Sequence, residues 1–296
     1  MEAEILLWIL LGVYFVTDGW TIGAGLVYRG VTRAATERRA VLTSIGPFFL
    51  GGEVWLVTVV VTLPFAYPLI EHEAPYPLIG VALLFWVTRD VSIWFRSRLS
   101  ATRWRAAWDW SFGVTSVLFA LSWGLIVGLA VGGRSGAFSL SVILWTLALP
   151  VLWAAHGGLL LVLRLPLELV PRAAAVASRL LPWAATLFAL ASAAAVIPRS
   201  GALYQQIFAV LGTLALLAAW RTARAERHGP ALGLSSAALV CCAGMVVISV
   251  AQAAPGGAAN PGAGLLLLIL PVLAVAQAWM WWAFRRRVDD RTPVFF

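Results

Sequence analysis

Nine apolar runs, each long enough to cross a lipid bilayer, occupy almost the whole chain and leave it few ways to fold. A transmembrane helix needs roughly 20 consecutive apolar residues, because about 30 Å of hydrocarbon is crossed at 1.5 Å per residue. Such runs read at 5–28, 45–69, 75–95, 110–132, 139–163, 173–197, 203–220, 231–253 and 263–284. Only 11% of the residues are charged, against about 25% in a soluble domain, so most of the surface must face lipid. The first run follows Glu2 and Glu4 and has neither a basic start nor a small-residue cleavage pattern, so it reads as helix one and not as a signal peptide.

All 21 basic residues are arginine, and their placement argues topology, not nucleic-acid binding. Eighteen fall after helices one, three, five and seven and in the C-terminal tail: Arg29, Arg33, Arg38, Arg39; Arg96, Arg98, Arg103, Arg105; Arg164, Arg172, Arg179; Arg221, Arg224, Arg227; and Arg285, Arg286, Arg287, Arg291. The alternate loops hold only Arg134 and Arg199, beside the acids Glu71 and Glu73. The positive-inside rule then places the N-terminus outside and the C-terminus in the cytoplasm. Trp104, Trp108, Trp110, Trp281 and Trp282 sit where interface anchors belong. Pro64, Pro68, Pro150 and Pro271 mark kinks in the spans. The glycines Gly19, Gly23, Gly25 and Gly46, Gly51, Gly52 are expected to let helices one and two approach closely.

Ionisable side chains inside a span are costly in hydrocarbon and are functional candidates by default. Asp18 in helix one, Glu53 in helix two, Arg89 in helix three and His156 in helix five all fall roughly 9 to 15 Å from the arginine-rich boundary, at 1.5 Å per residue. Helices one to three are joined by short loops, so Asp18, Glu53 and Arg89 are expected to form a buried charge cluster. That cluster reads either as a pin that fixes helix packing or as part of a proton path, and the sequence does not separate the two.

The residues available for metal chemistry are few. Of three histidines, His72 and His228 fall in expected loops, which leaves His156 with Met245 and Met280 as unremarkable partners for a haem. Cys241 and Cys242 are adjacent in an apolar run and read as small core residues. No metal-ligand spacing stands out. No catalytic, cofactor-binding or metal residue is therefore assigned to this chain.

Three strings together carry a resemblance: DGWTIGAG (Asp18 to Gly25), ERR leading into SIGPFFLGGEVWLV (Glu37 to Val57), and TRWRAAWDW (Thr102 to Trp110). With FAYP (Phe65 to Pro68), the segment Arg89 to Arg96, AHGG (Ala155 to Gly158) and WMWWAFRRRV (Trp279 to Val288), they resemble subunit II of the cytochrome bd quinol oxidases. The likeness is dense over the first 165 residues. It implies an all-α fold of about nine transmembrane helices, two four-helix bundles plus one additional helix, with 1–132 holding helices one to four and 139–296 the rest. It also implies a bacterial inner-membrane heterodimer that oxidises quinol and reduces dioxygen to water. Haems b and d would lie on subunit I, with none on this chain, and a bound quinone or lipid stays open.

The departures matter as much. A second acid of the helix-one motif is Thr21 here, the helix-two acid that the family uses in an inward-facing proton path is Leu50, and an acid late in helix three is Trp94. Leucine cannot relay a proton. Glu53, one helical turn from Leu50, is the substitute that the sequence offers. Two alternatives remain: a bd-like complex with a different donor or acceptor, and a secondary transporter, which would be expected to show inverted repeats that this chain lacks.

Overall fold

The computed structural model describes residues 2–66, 76–132, 139–198, 203–253, 261–289 and 292. Among these residues the chain is helical throughout, without a strand: α1 Glu2–Val31, α2 Ala35–Ala66, α3 Tyr76–Arg96, α4 Thr102–Gly132, α5 Leu140–Arg164, α6 Val170–Val196, α7 Leu203–Arg224, α8 His228–Ala253 and α9 Pro261–Ala283. Eight of them, α1 to α8, are long and apolar enough to cross a membrane. The protein is a multi-pass membrane protein. Pro68, Glu71, His72, Glu73, Arg134, Arg199 and Arg291 lie outside the described residues.

The apolar runs understate the helices at their arginine-rich ends. α2 begins at Ala35 instead of 45, and α4 at Thr102 instead of 110. The intervening residues (Glu, Arg, Ala, Leu) are good helix formers, so the helix continues out of the hydrocarbon. Glu37 caps the start of α2, accepting the backbone N–H groups of Arg33 and Ala34 at 2.5 and 3.0 Å. His228, expected in a loop, opens α8. Inside the spans, hydroxyls such as Thr17, Ser44, Thr62 and Ser92 donate to the carbonyl four residues back, which satisfies them without water.

Helix α1 is the hub, packed against α2, α4, α5 and α8, while α5 packs against α1, α4, α6 and α8. The two helices cross where Gly23 meets Gly157. A Cβ on Gly23 would stand 1.9 Å from the Trp153 carbonyl oxygen, so only glycine permits the crossing. The expected glycine seam between α1 and α2 is thus largely a different one. Gly19 and Gly23 face α5 and Gly25 faces Ser116 of α4, while Gly52 of α2 lies against the Asp18 backbone and Gly51 against Met280 of α9.

Trp110 and Trp282 are exposed, as interface anchors should be, and Trp104 and Trp108 are partly so. Trp281 departs from that expectation: it turns inward against Trp20 and Phe48, with ring centroids at 5.1 and 5.5 Å. The tail behind it folds onto the end of α5. Arg287 donates to the carbonyls of Val162 and Leu165 at 2.7 and 2.9 Å, and the Val288 N–H donates to Arg164 at 2.8 Å. Terminal helix carbonyls that would otherwise be unpaired are thereby capped by a cation.

The α1–α5 crossing gives a first prediction. Gly23→Ala must separate the two backbones and should destabilise the fold by about 3 kcal/mol, as severe overpacking does. Gly233→Ala, with open space around it, should be neutral. Thermal stability of the detergent-solubilised protein separates the two, and equal melting points would refute the crossing.

Candidate functional site

The centre of the site is Arg89, on α3 and wholly buried. Its Nη2 lies 3.2 Å from Asp18 Oδ1 on α1, and its Nε lies 3.2 Å from Asp90 Oδ1 on α3 itself. The guanidinium is flanked by Phe49 of α2 and Phe119 of α4, with ring centroids at 5.4 and 5.5 Å. A planar, weakly hydrated cation suits such a sandwich better than an ammonium would. On the other side, the Thr21 hydroxyl donates to Asp18 Oδ1. Thr21 thus supports the carboxylate of Asp18.

Glu53 of α2 joins this group from its edge. Its carboxyl stands next to that of Asp90, although α2 and α3 do not pack closely along their lengths. Four helices therefore contribute: α1 (Asp18, Thr21), α2 (Glu53, Phe49), α3 (Arg89, Asp90) and α4 (Phe119). The structure brings together Asp18, Glu53 and Arg89 of the residues singled out from the sequence.

His156 stands apart. Its Nδ1 pairs with Ser235 of α8 at 2.7 Å and its Nε2 with the Val16 carbonyl of α1 at 3.2 Å, with the ring stacked near Trp20. Both ring nitrogens are engaged, so this histidine does not fit a haem or metal ligand without breaking a buried hydrogen bond. Met245 accepts from Ser192 at 3.6 Å, and Met280 lies over Gly51. Among the described residues no group of three or more His, Cys, Asp or Glu is arranged to hold a metal ion. Leu50 points outward, 57% exposed, and Trp94 is 40% exposed, so neither enters the cluster.

Two features escaped the sequence. Asp90 follows Arg89 directly and carries the signal of an acid inside a span, masked in the sequence by the opposite charge beside it. The second is Asp109 in TRWRAAWDW, placed outside the membrane when α4 was expected to begin at 110. It accepts from Tyr28 at 2.6 Å and Arg96 at 2.5 Å, and Arg38 stands 2.9 Å away. This carboxylate clamps α1, α2, α3 and α4 together near their arginine-rich ends.

Comparison with known proteins decides the family. The model of "Cytochrome bd terminal oxidase subunit II" matches residues 3–284. The chain belongs to the cytochrome bd terminal oxidase subunit II family. Among curated relatives, "Cytochrome bd ubiquinol oxidase subunit 2" of Bacillus subtilis is 26% identical over 99% of this chain and 97% of its own. "Cytochrome bd-I ubiquinol oxidase subunit 2" of Escherichia coli is 35% identical over 42% of this chain, a match that spans about a third (34%) of the relative's length. Among solved structures, the bd oxidase from Geobacillus thermodenitrificans shares the fold, with a TM-score of 0.78, 14% identity and coverage of 96% of this chain and 97% of that one.

The cluster predicts an asymmetry between single and combined substitutions. Arg89→Leu leaves the Asp18 and Asp90 carboxylates without their cation and should cost about 3–5 kcal/mol. Combining it with Asp18→Asn and Asp90→Asn should recover most of that stability. Thermal denaturation of the complex checks this, and a triple variant as unstable as the single one would refute the charge balance.

Proposed function

We propose that this chain is the haem-free subunit II of a heterodimeric cytochrome bd-type quinol oxidase, in which quinol oxidation drives the reduction of dioxygen to water. A homologous-fold subunit I would carry haems b and d, and this chain would stabilise it and contribute proton access. The observation that carries the reading is the buried cluster of Asp18, Glu53 and Arg89, set in a chain of this family whose one described intramembrane histidine has both nitrogens occupied. Carboxyls in a membrane interior are suited to move protons and unsuited to move electrons.

The arginine distribution supports an N-terminus outside and a C-terminus in the cytoplasm of a bacterial inner membrane. In that orientation the Asp109 clamp and the arginine tail face the cytoplasm, and the Asp18–Arg89 pair lies deeper. Protons drawn from the cytoplasm would pass the clamp before they reach the cluster. A second reading, a bd-like complex with another donor or acceptor, is favoured by the outward, apolar Leu50 at the helix-two acid position.

Two measurements test the proposal. Deleting this chain should abolish the haem absorbance of the membrane-extracted complex, whereas His156→Gln should leave haem content per complex unchanged. Glu53→Gln should lower quinol-dependent oxygen consumption at least tenfold without loss of haem, in the range of a missing proton-transfer group. A chain that purifies alone and moves a solute across vesicles would overturn the assignment. Full oxygen consumption in Glu53→Gln would remove proton access from it.

A further inference from the structure

The cluster holds more acid than base. Three carboxyls, Asp18, Glu53 and Asp90, share one guanidinium. Full ionisation would place two uncompensated negative charges in hydrocarbon, and adjacent carboxylates resist ionising together. The geometry separates their roles. Asp18 is held by Arg89 Nη2 and the Thr21 hydroxyl, and Asp90 by Arg89 Nε. Among the described residues no ion pair joins Glu53 to a cation, and its carboxyl stands next to that of Asp90.

A second set of atoms points to the same place. The Tyr14 hydroxyl, Asp18 Oδ2 and Arg89 Nη1 are buried without a hydrogen-bond partner, on side chains whose residues are wholly buried, and Glu53 Oε1 is also unpartnered. Buried polar groups in this state are sites for ordered water, which needs two to four polar partners. Here the guanidinium donor of Arg89, the Asp18 carboxylate acceptor and a hydroxyl able to do either supply that number. Burial is also graded: the Asp18 and Arg89 side chains are 0% exposed, that of Asp90 is 15% exposed, and Glu53 is intermediate. The Glu53–Asp90 pair thus lies between the sealed ion pair and the outward side of α2 and α3.

We propose that Glu53 and Asp90 form a one-proton carboxyl pair, in which Glu53 carries an exchangeable proton donated to the Asp90 carboxylate, with Tyr14, Asp18 and Arg89 holding the water through which that proton exchanges. The inference rests on the proton-access reading above and assigns Asp90 a role that the family pattern does not supply. Release breaks the Glu53 O–H bond and passes H⁺ to bound water, leaving a second carboxylate, and rebinding reverses it without electron movement. The ionisable groups facing the pair are Asp18 from α1 and Arg89 from α3, with Tyr14 of α1 behind them. α4 presents Phe119 and Trp123, which do not titrate.

The test is infrared difference spectroscopy of the purified complex in H₂O and D₂O at neutral pH. Wild type should show a protonated carboxyl band that shifts in D₂O. Glu53→Gln should abolish that band, and Asp90→Asn should move its frequency, because its acceptor changes from carboxylate to amide. Absence of the band in wild type, or a band unchanged in both variants, overturns the proposal. The wild-type spectrum and Asp90→Asn suffice if Glu53→Gln does not assemble. A band that behaves as expected in a complex whose oxygen consumption survives Glu53→Gln keeps the proton pair and rejects only its use in turnover.

Discussion

Arg89 is the side chain on which the first four helices depend. α3 packs closely on α4 but not along α1 or α2, so its position relative to them must come from side chains that reach across. Arg89 reaches Asp18 on α1 and is flanked by Phe49 of α2 and Phe119 of α4. In lipid there is little hydrophobic force between apolar helices, so a buried ion pair in an aromatic sandwich carries orienting weight that it would not carry in water. A cation left in hydrocarbon without its carboxylates is expensive enough to forbid the alternative arrangements in which α3 turns Arg89 outward.

The Asp109 clamp repeats the device nearer the helix ends. Asp18 and Tyr28 are ten residues apart on α1, about 15 Å, and Arg89 and Arg96 are seven apart on α3, about 10 Å. Each helix is therefore tied at two depths, once by Arg89 and once by Asp109. Two ties along an axis fix rotation and vertical register together, where one would leave a pivot. The glycine crossing of α1 and α5 then locks this group to the second, with so little space that neither backbone can slide.

Hydropathy made the helices legible because lipid imposes one requirement on every span, and Asp18, Glu53 and Arg89 were legible because a charge within such a span stands out. The same rule misplaced what lay at its boundary. Arg38, Arg103 and Asp109 are polar, so a hydropathy reading ends the span there, although a helix in water continues where capping and propensity favour it. Partner choice was not legible either. That Gly23 faces α5 and not α2, or that Trp281 folds inward beside Trp20, depends on which faces the three-dimensional arrangement presents. Asp90 was missed for a plainer reason. Its charge is half hidden in sequence by the arginine beside it, and only its contact with Glu53 distinguishes it from that arginine's local counter-ion.

The relation between Leu50 and the Glu53–Asp90 pair follows from helix geometry. Three residues along α2 correspond to about 4.5 Å of rise and a turn of about 60° short of a full circle. That shift carries the acid position from the outward side, where Leu50 now lies among Val54 and Val57, to the flank that looks toward α3. An acid at 50 would depend on a group from outside this chain to stabilise its charge. An acid at 53 finds Asp90 and, behind it, Arg89 within the same subunit. On the proposed reading, the lost and gained carboxyls are therefore one change. Proton binding moves off the surface, and its control passes to residues that this chain holds in place itself.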